Sequence, residues 1–209
     1  MKKFLLTMAA CLSMAMPAQA MVETGEELGD NYKMKYPVVY VEDADAQAAI
    51  NADIGRYLDT FRDAMENDEV IVNGATAYAV KYEDEDVVSL SFTDYRYTGG
   101  AHGMPTTYGM VYDKHTGARI PLDTYLRITP EDLNEVVDDH LYNGNGNLVP
   151  YAFKKWNQPI NYVPENYFLL GDGGIALQFQ PYALGSFADG AMTIRFDAAM
   201  VDEYNEKNS

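Results

Sequence analysis

Two runs, Gly74 to Tyr82 and Val87 to Tyr97, place apolar side chains at alternate positions and flank the four acids Glu83-Asp84-Glu85-Asp86. Period-two alternation is what a strand with one buried face requires, and a short polar break between two such runs is a turn. Tyr78, Val80 and Tyr82, and Val88, Leu90 and Phe92, alternate as the faces of paired half-buried strands do. A chain with this hairpin near its middle builds sheet, and the flanking segments decide what covers it.

Upstream, an acidic leader (Val22 to Asp30) precedes the β-favouring stretch Tyr32 to Val41. Asp43 or Asp45 caps a helix over about 46–67, where Ile54, Leu58, Phe61 and Met65 fall on one face. Downstream, Thr106 to Tyr112 predicts a strand, Asp113 to Gly117 a turn, and Ala118 to Pro121 the returning strand. Thr129 before Pro130 marks a helix start, giving a second helix over about 130–142 that ends in the Asn143–Asn147 cluster. Tyr167 to Leu170 and Ile175 to Phe179 form another hairpin, and Met192 to Phe196 a last strand. The expected fold is α+β: mainly antiparallel sheets of hairpins packed with two principal helices. The domain reading is a removed segment 1–20, a strand–helix–strand unit 21–84, and a larger unit 85–209.

The first twenty residues read as a secretory signal peptide: Met1-Lys2-Lys3, an apolar run from Phe4 to Met16, and Ala18-Gln19-Ala20 as the cleavage site. The apolar run is too short to span a membrane, which takes about 20 residues. A lipid anchor on Cys11 would need a better match than Met8-Ala9-Ala10 before it, so ordinary export is the expectation. Cleavage after Ala20 leaves 13 basic against 32 acidic residues, a formal −19, and no cysteine. Disulfides are then unavailable, and a chain of this length has to be held by its core. Such acidity excludes nucleic acid and anionic membrane surfaces as partners, and it steers cationic ones in.

Between the hairpin and the next strand runs Tyr95-Arg96-Tyr97-Thr98-Gly99-Gly100-Ala101-His102-Gly103. Three glycines around one histidine describe a shaped loop, because glycine serves where φ is positive or backbones pass closely. This run, with Tyr108 to Gly117, Leu122 to Leu126, Asn166 to Leu170 and Phe179-Gln180-Pro181-Tyr182, resembles the C-terminal domain of RsiV-type proteins. That family includes the lysozyme-sensing part of an anti-sigma factor and the non-catalytic region of some peptidoglycan deacetylases. The resemblance covers about Val88 to Phe196 and implies an extracytoplasmic α+β sensor domain. Ser186-Phe187 stands where the family carries a second Pro-Tyr pair.

Catalytic chemistry finds little to stand on. His102 is the candidate for acid–base work, since histidine as a residue type serves there, but an acyl-transfer enzyme also needs a nucleophile. After cleavage the serines are Ser89, Ser91, Ser186 and Ser209, none between glycines as in a nucleophile elbow. His102, His115 and His140 share no zinc-like spacing, and no acid run matches a calcium loop. No catalytic residue, metal or cofactor is assigned. The reading is a binding protein, with Tyr97, Gly99, Gly100, Ala101, His102, Gly103 and Tyr182 as its candidate contact residues. The implied partner is a cationic lysozyme-type muramidase or peptidoglycan glycan, and no pattern specifies an oligomeric state. A hydrolase or esterase using His102 with a carboxylate is the alternative, and a ligand-free structural envelope protein the third.

Overall fold

Asp84 closes the central hairpin by accepting hydrogen bonds from the backbones of Asp86 (2.9 Å) and Val87 (2.8 Å) on Oδ1. In the computed structural model, which describes residues 21–151 and 158–209, this turn joins β3 (Asn73–Glu83) to β4 (Val87–Tyr97). The proposed signal peptide and Cys11 lie outside the described residues. With β1 (Met21–Leu28), β2 (Tyr32–Tyr40) and β5 (Met104–Asp113) the hairpin makes a five-stranded sheet in the order β1-β2-β3-β4-β5. Its pairings are antiparallel except β2–β3, which α1 (Ala44–Asn67) bridges.

Helix α1 begins where Asp43 accepts from the backbones of Asp45 and Ala46. Its stripe of Ile50, Ile54, Leu58, Phe61 and Met65 packs on Met34, Leu90, Phe92, Met110 and Tyr112. Asn51 pins the helix to β2, holding both the N–H (2.9 Å) and the C=O (2.7 Å) of Val39.

A second sheet, order β6-β9-β8-β7, is wholly antiparallel: β6 (Leu141–Tyr142), β7 (Tyr167–Gly171), β8 (Gly174–Phe179) and β9 (Met192–Phe196). Its core includes Leu133 and Val137 of α2 (Pro130–His140) and Tyr204 of α3 (Ala198–Lys207). The fold is α+β, with three helices in the described residues.

Three sequence expectations need correcting. The acidic leader is strand β1, paired along its whole length with β2, because strand pairing tolerates charges on an edge. Strand β4 is not half-buried: Val87 to Phe92 are buried on both faces, since the second sheet covers Ser89 and Ser91. The returning strand at Ala118 to Pro121 shrinks to one bridge, Tyr112 to Arg119, before the chain turns into a 3-10 segment at Leu122–Thr124. Helix α3 was not anticipated. The 84/85 division falls in the β3–β4 turn, so residues on either side of it share the first sheet.

The sheets meet at β4 and β5. The Leu169 N–H donates to Ser89 Oγ (3.0 Å), and the Gly109 N–H to Asn166 Oδ1 (3.1 Å). Gln180 grips Thr107 from both sides, accepting from its N–H (2.9 Å) and donating to its C=O (2.6 Å). A side-chain amide thus takes the place of a neighbouring strand. It also fixes the start of the segment that carries Tyr182.

Candidate functional site

The loop from Tyr97 to Met104 is shaped by its glycines and its tyrosines. Gly99 and Gly100 have φ of 95° and 94°, a region open to glycine and strained for other residues. Tyr97 donates from its hydroxyl to the Gly100 carbonyl (2.9 Å), and the Tyr95 hydroxyl accepts from Gly103 N–H (3.1 Å). A Cβ on Gly103 would run into the Tyr95 ring. The loop's form follows directly from these residue types.

His102 is exposed at the loop tip with its Nδ1 3.0 Å from the Gly103 carbonyl. Its ring stacks on Phe187, centroids 3.6 Å apart and planes 16° from parallel. Tyr182 completes the corner: its hydroxyl lies 3.4 Å from His102 Nε2 and its ring 5.8 Å from Phe187. Tyr182 has φ of 70°, unusual for a bulky side chain, and is 49% exposed. Its neighbours hold it there, with Gln180 clamped to β5 and Pro181 buried.

The structure therefore gathers Tyr97, Gly99, Gly100, Ala101, His102 and Gly103 into one loop and sets Tyr182 against its histidine. Phe187 is the member the sequence reading missed. Its signal was the departure already noted, Ser186-Phe187 in place of a Pro-Tyr pair. Asp189 closes this turn by accepting from both the N–H (2.8 Å) and the hydroxyl (2.6 Å) of Ser186.

A fold with this architecture is known. A DUF3298 family protein of Pseudomonas aeruginosa PAO1 superposes with a TM-score of 0.61 at 14% identity, over 89% of this chain and 93% of that one. A member of the same family from Bacteroides fragilis NCTC 9343 gives 0.53 at 15% identity, over 90% and 93%. The fold is that of the DUF3298 family. A family model described as deacetylase PdaC matches residues 25–105, from β1 into the start of β5. That match takes in the Gly99–Gly103 loop and leaves the second sheet outside it. None of the curated proteins matches the sequence.

The neighbours of His102 are a carbonyl, a phenol and a phenyl ring, and a carboxylate that could orient an acid–base histidine is not among these contacts. A histidine–carboxylate pair does form elsewhere, His115 Nε2 to Asp86 Oδ1 at 2.9 Å, and the Asp86 bond raises the His115 pKa. Both partners are well exposed to solvent, Asp86 in the β3–β4 turn and His115 in the turn after β5. Among the described residues no three His, Cys, Asp or Glu side chains converge as metal ligands would, and no helix is long and apolar enough to cross a membrane.

Proposed function

We propose that this chain is an extracytoplasmic, non-enzymatic recognition protein whose aromatic corner binds a cationic protein of the cell envelope, of the lysozyme type. The observation that carries the reading is the exposed pair His102 and Tyr182 packed around the half-buried Phe187, presented by a glycine loop and a strained turn. Rigid aromatic side chains supply contact area at little entropic cost, and they dominate many protein interfaces. His102 and Phe187 already spend their faces on each other, so the corner offers ring edges to a protein surface more readily than a platform to a sugar. The formal charge of −19 on residues 21–209 draws a cationic partner toward it. The RsiV-type motifs and the match to a deacetylase family model support a cell-wall setting.

The test is binding of the exported chain, residues 21–209, to hen-type lysozyme across a salt series. Saturable binding that weakens as salt rises is expected, since screening acts on the steering charge. Tyr182→Ala and Phe187→Ala should each weaken it about tenfold, on the order of 1.4 kcal/mol. Absence of binding at low salt, or affinity untouched by both variants, overturns the reading.

A further inference from the structure

A groove on the other flank of β5 is built from different material. The outward face of α1 around Asp53 and Tyr57 borders two adjoining hollows, of about 1190 and 300 Å³, which share those two residues. Small-molecule sites typically measure about 300–1,000 Å³, so the pair together suits an extended ligand. The larger hollow runs between Arg119 and Tyr167 and out past Val163 and Arg127. The smaller lies over Tyr108 and Asp94.

At the junction the polar groups are already paired with one another. Asp53 Oδ2 accepts from the Tyr112 hydroxyl (2.7 Å) and from Arg119 Nε (2.8 Å), while Oδ1 is paired with Arg56. Burial would raise the Asp53 pKa, but the bonds from Tyr112 and Arg119 outweigh it and hold the carboxyl below its ordinary value. Arg119 also donates from Nη1 to the Gly109 carbonyl (3.0 Å) and lies over the Tyr57 ring at 5.3 Å. Tyr57 meets Tyr108 edge to face at 5.0 Å. At the far end Arg96 binds Asp94 through Nε (3.0 Å) and Nη2 (2.5 Å).

The charge of the lining differs from that of the molecule. Four carboxylate and three guanidinium side chains line the two hollows, whereas the chain as a whole carries −17. A cation entering here finds Asp53 held by two arginines, and an anion finds Arg119 held by Asp53. At this junction neither gains an unpaired counter-charge; outside it the larger hollow carries Asp123 and Glu165 beside Arg127. Hydroxyl groups fare better, because each donates and accepts at once and joins paired carboxylates and guanidiniums without breaking them. Half-buried tyrosines beside such forks take the apolar faces of a ring.

From this juxtaposition of balanced Asp–Arg pairs and tyrosine rings in a long groove, we infer a second binding site, for an uncharged oligosaccharide. It is separate from the aromatic corner and does not depend on the protein partner proposed there. The probes are tetramers of β-1,4-linked N-acetylglucosamine, of cellulose and of maltose, titrated into residues 21–209 by calorimetry, with amide shifts followed by NMR. At least one tetramer should bind saturably and shift the amides of Asp53 to Thr60. Tyr57→Ala should weaken it about tenfold and the exposed Arg56→Ala several-fold, while Tyr182→Ala leaves it unchanged. Should Tyr57→Ala fail to fold, Arg56→Ala decides the matter. No binding of any tetramer overturns the inference, as does unchanged affinity in the folded variants. A charged peptide that binds at these amides where no tetramer does also overturns it. Loss of lysozyme binding in Tyr182→Ala with sugar binding intact would separate the two sites.

Discussion

At Gly109 the backbone of β5 comes so close to the backbone of Tyr167 that a Cβ there would overlap the Tyr167 carbonyl. The same glycine donates its N–H to Asn166 and offers its carbonyl to Arg119, so one position joins both sheets and the groove. Gly109→Ala should therefore cost about 1–3 kcal/mol through overpacking, with Tm falling roughly 2–4 °C for each kcal/mol in a chain of this size. A thermal melt that does not move would refute the close-approach account. In the sequence, Gly109 is one glycine in an otherwise ordinary strand. Gly99 and Gly100 were legible because they stand adjacent next to a histidine, whereas Gly109 is explained by a contact 58 residues away along the chain. Asp53 and Arg119 are similar: each looks like a solvated surface charge until the fold brings them within 2.8 Å.

Helix α2 was legible from its first turn. Thr129 accepts from Asp132 N–H, Asp132 returns the bond to Thr129 N–H, and Pro130 occupies the first turn. Helix α3 was not, because Tyr204 is its one buried residue and no apolar stripe marks it. Polar contacts hold it alongside the partly buried Met200 and Val201: Asn205 to Tyr125 and Arg127, Asn208 to Arg127, and Lys207 Nζ to Asp132 Oδ1 at 2.5 Å. Asp132 thus caps its own helix and staples α3 to it. Burial opposes its ionisation, but the bonds from Lys207, Thr129 and Asn208 prevail and bring its pKa down from 3.8 to about 2. A depressed folded-state value means the stabilisation is complete above about pH 4 and fades as pH falls toward 2. Asp132→Asn should cost about 2 kcal/mol at pH 7 and flatten the stability profile across that acid window. Denaturant unfolding of both proteins between pH 2 and 7 checks this, and parallel profiles would exclude the staple.

Over the whole molecule, the first sheet is the unit that the 84/85 division would cut. Strands β4 and β5 bury Val88, Leu90, Phe92, Met110 and Tyr112 against α1 and its neighbours in the same cluster. A fragment of residues 85–209 would expose that face and lose the cover of α1, an apolar patch of the kind that drives association. We expect it to aggregate or melt without a cooperative transition, and co-expression with residues 21–84 to restore one. Cooperative melting of 85–209 alone would show that the second sheet sustains its own domain. The acidity of the chain acts at this scale too, since it sets association rate and salt dependence for any cationic partner and leaves the fold alone.

Local pattern alone determined most of the elements here: the β3–β4 hairpin, the α1 stripe, the α2 capping box, the β7–β8 hairpin and the glycine loop. Those signals lie within a few residues of one another, where propensity, periodicity and turn chemistry act. Tertiary structure alone decided that the acidic leader is an edge strand, that β4 is buried on both faces, and that α3 exists. It also decided that Phe187 faces His102 and that Asp53 meets Arg119. Each of these depends on groups far apart in the chain, and the loop-closure entropy that opposes such meetings is offset by burying the two cores together.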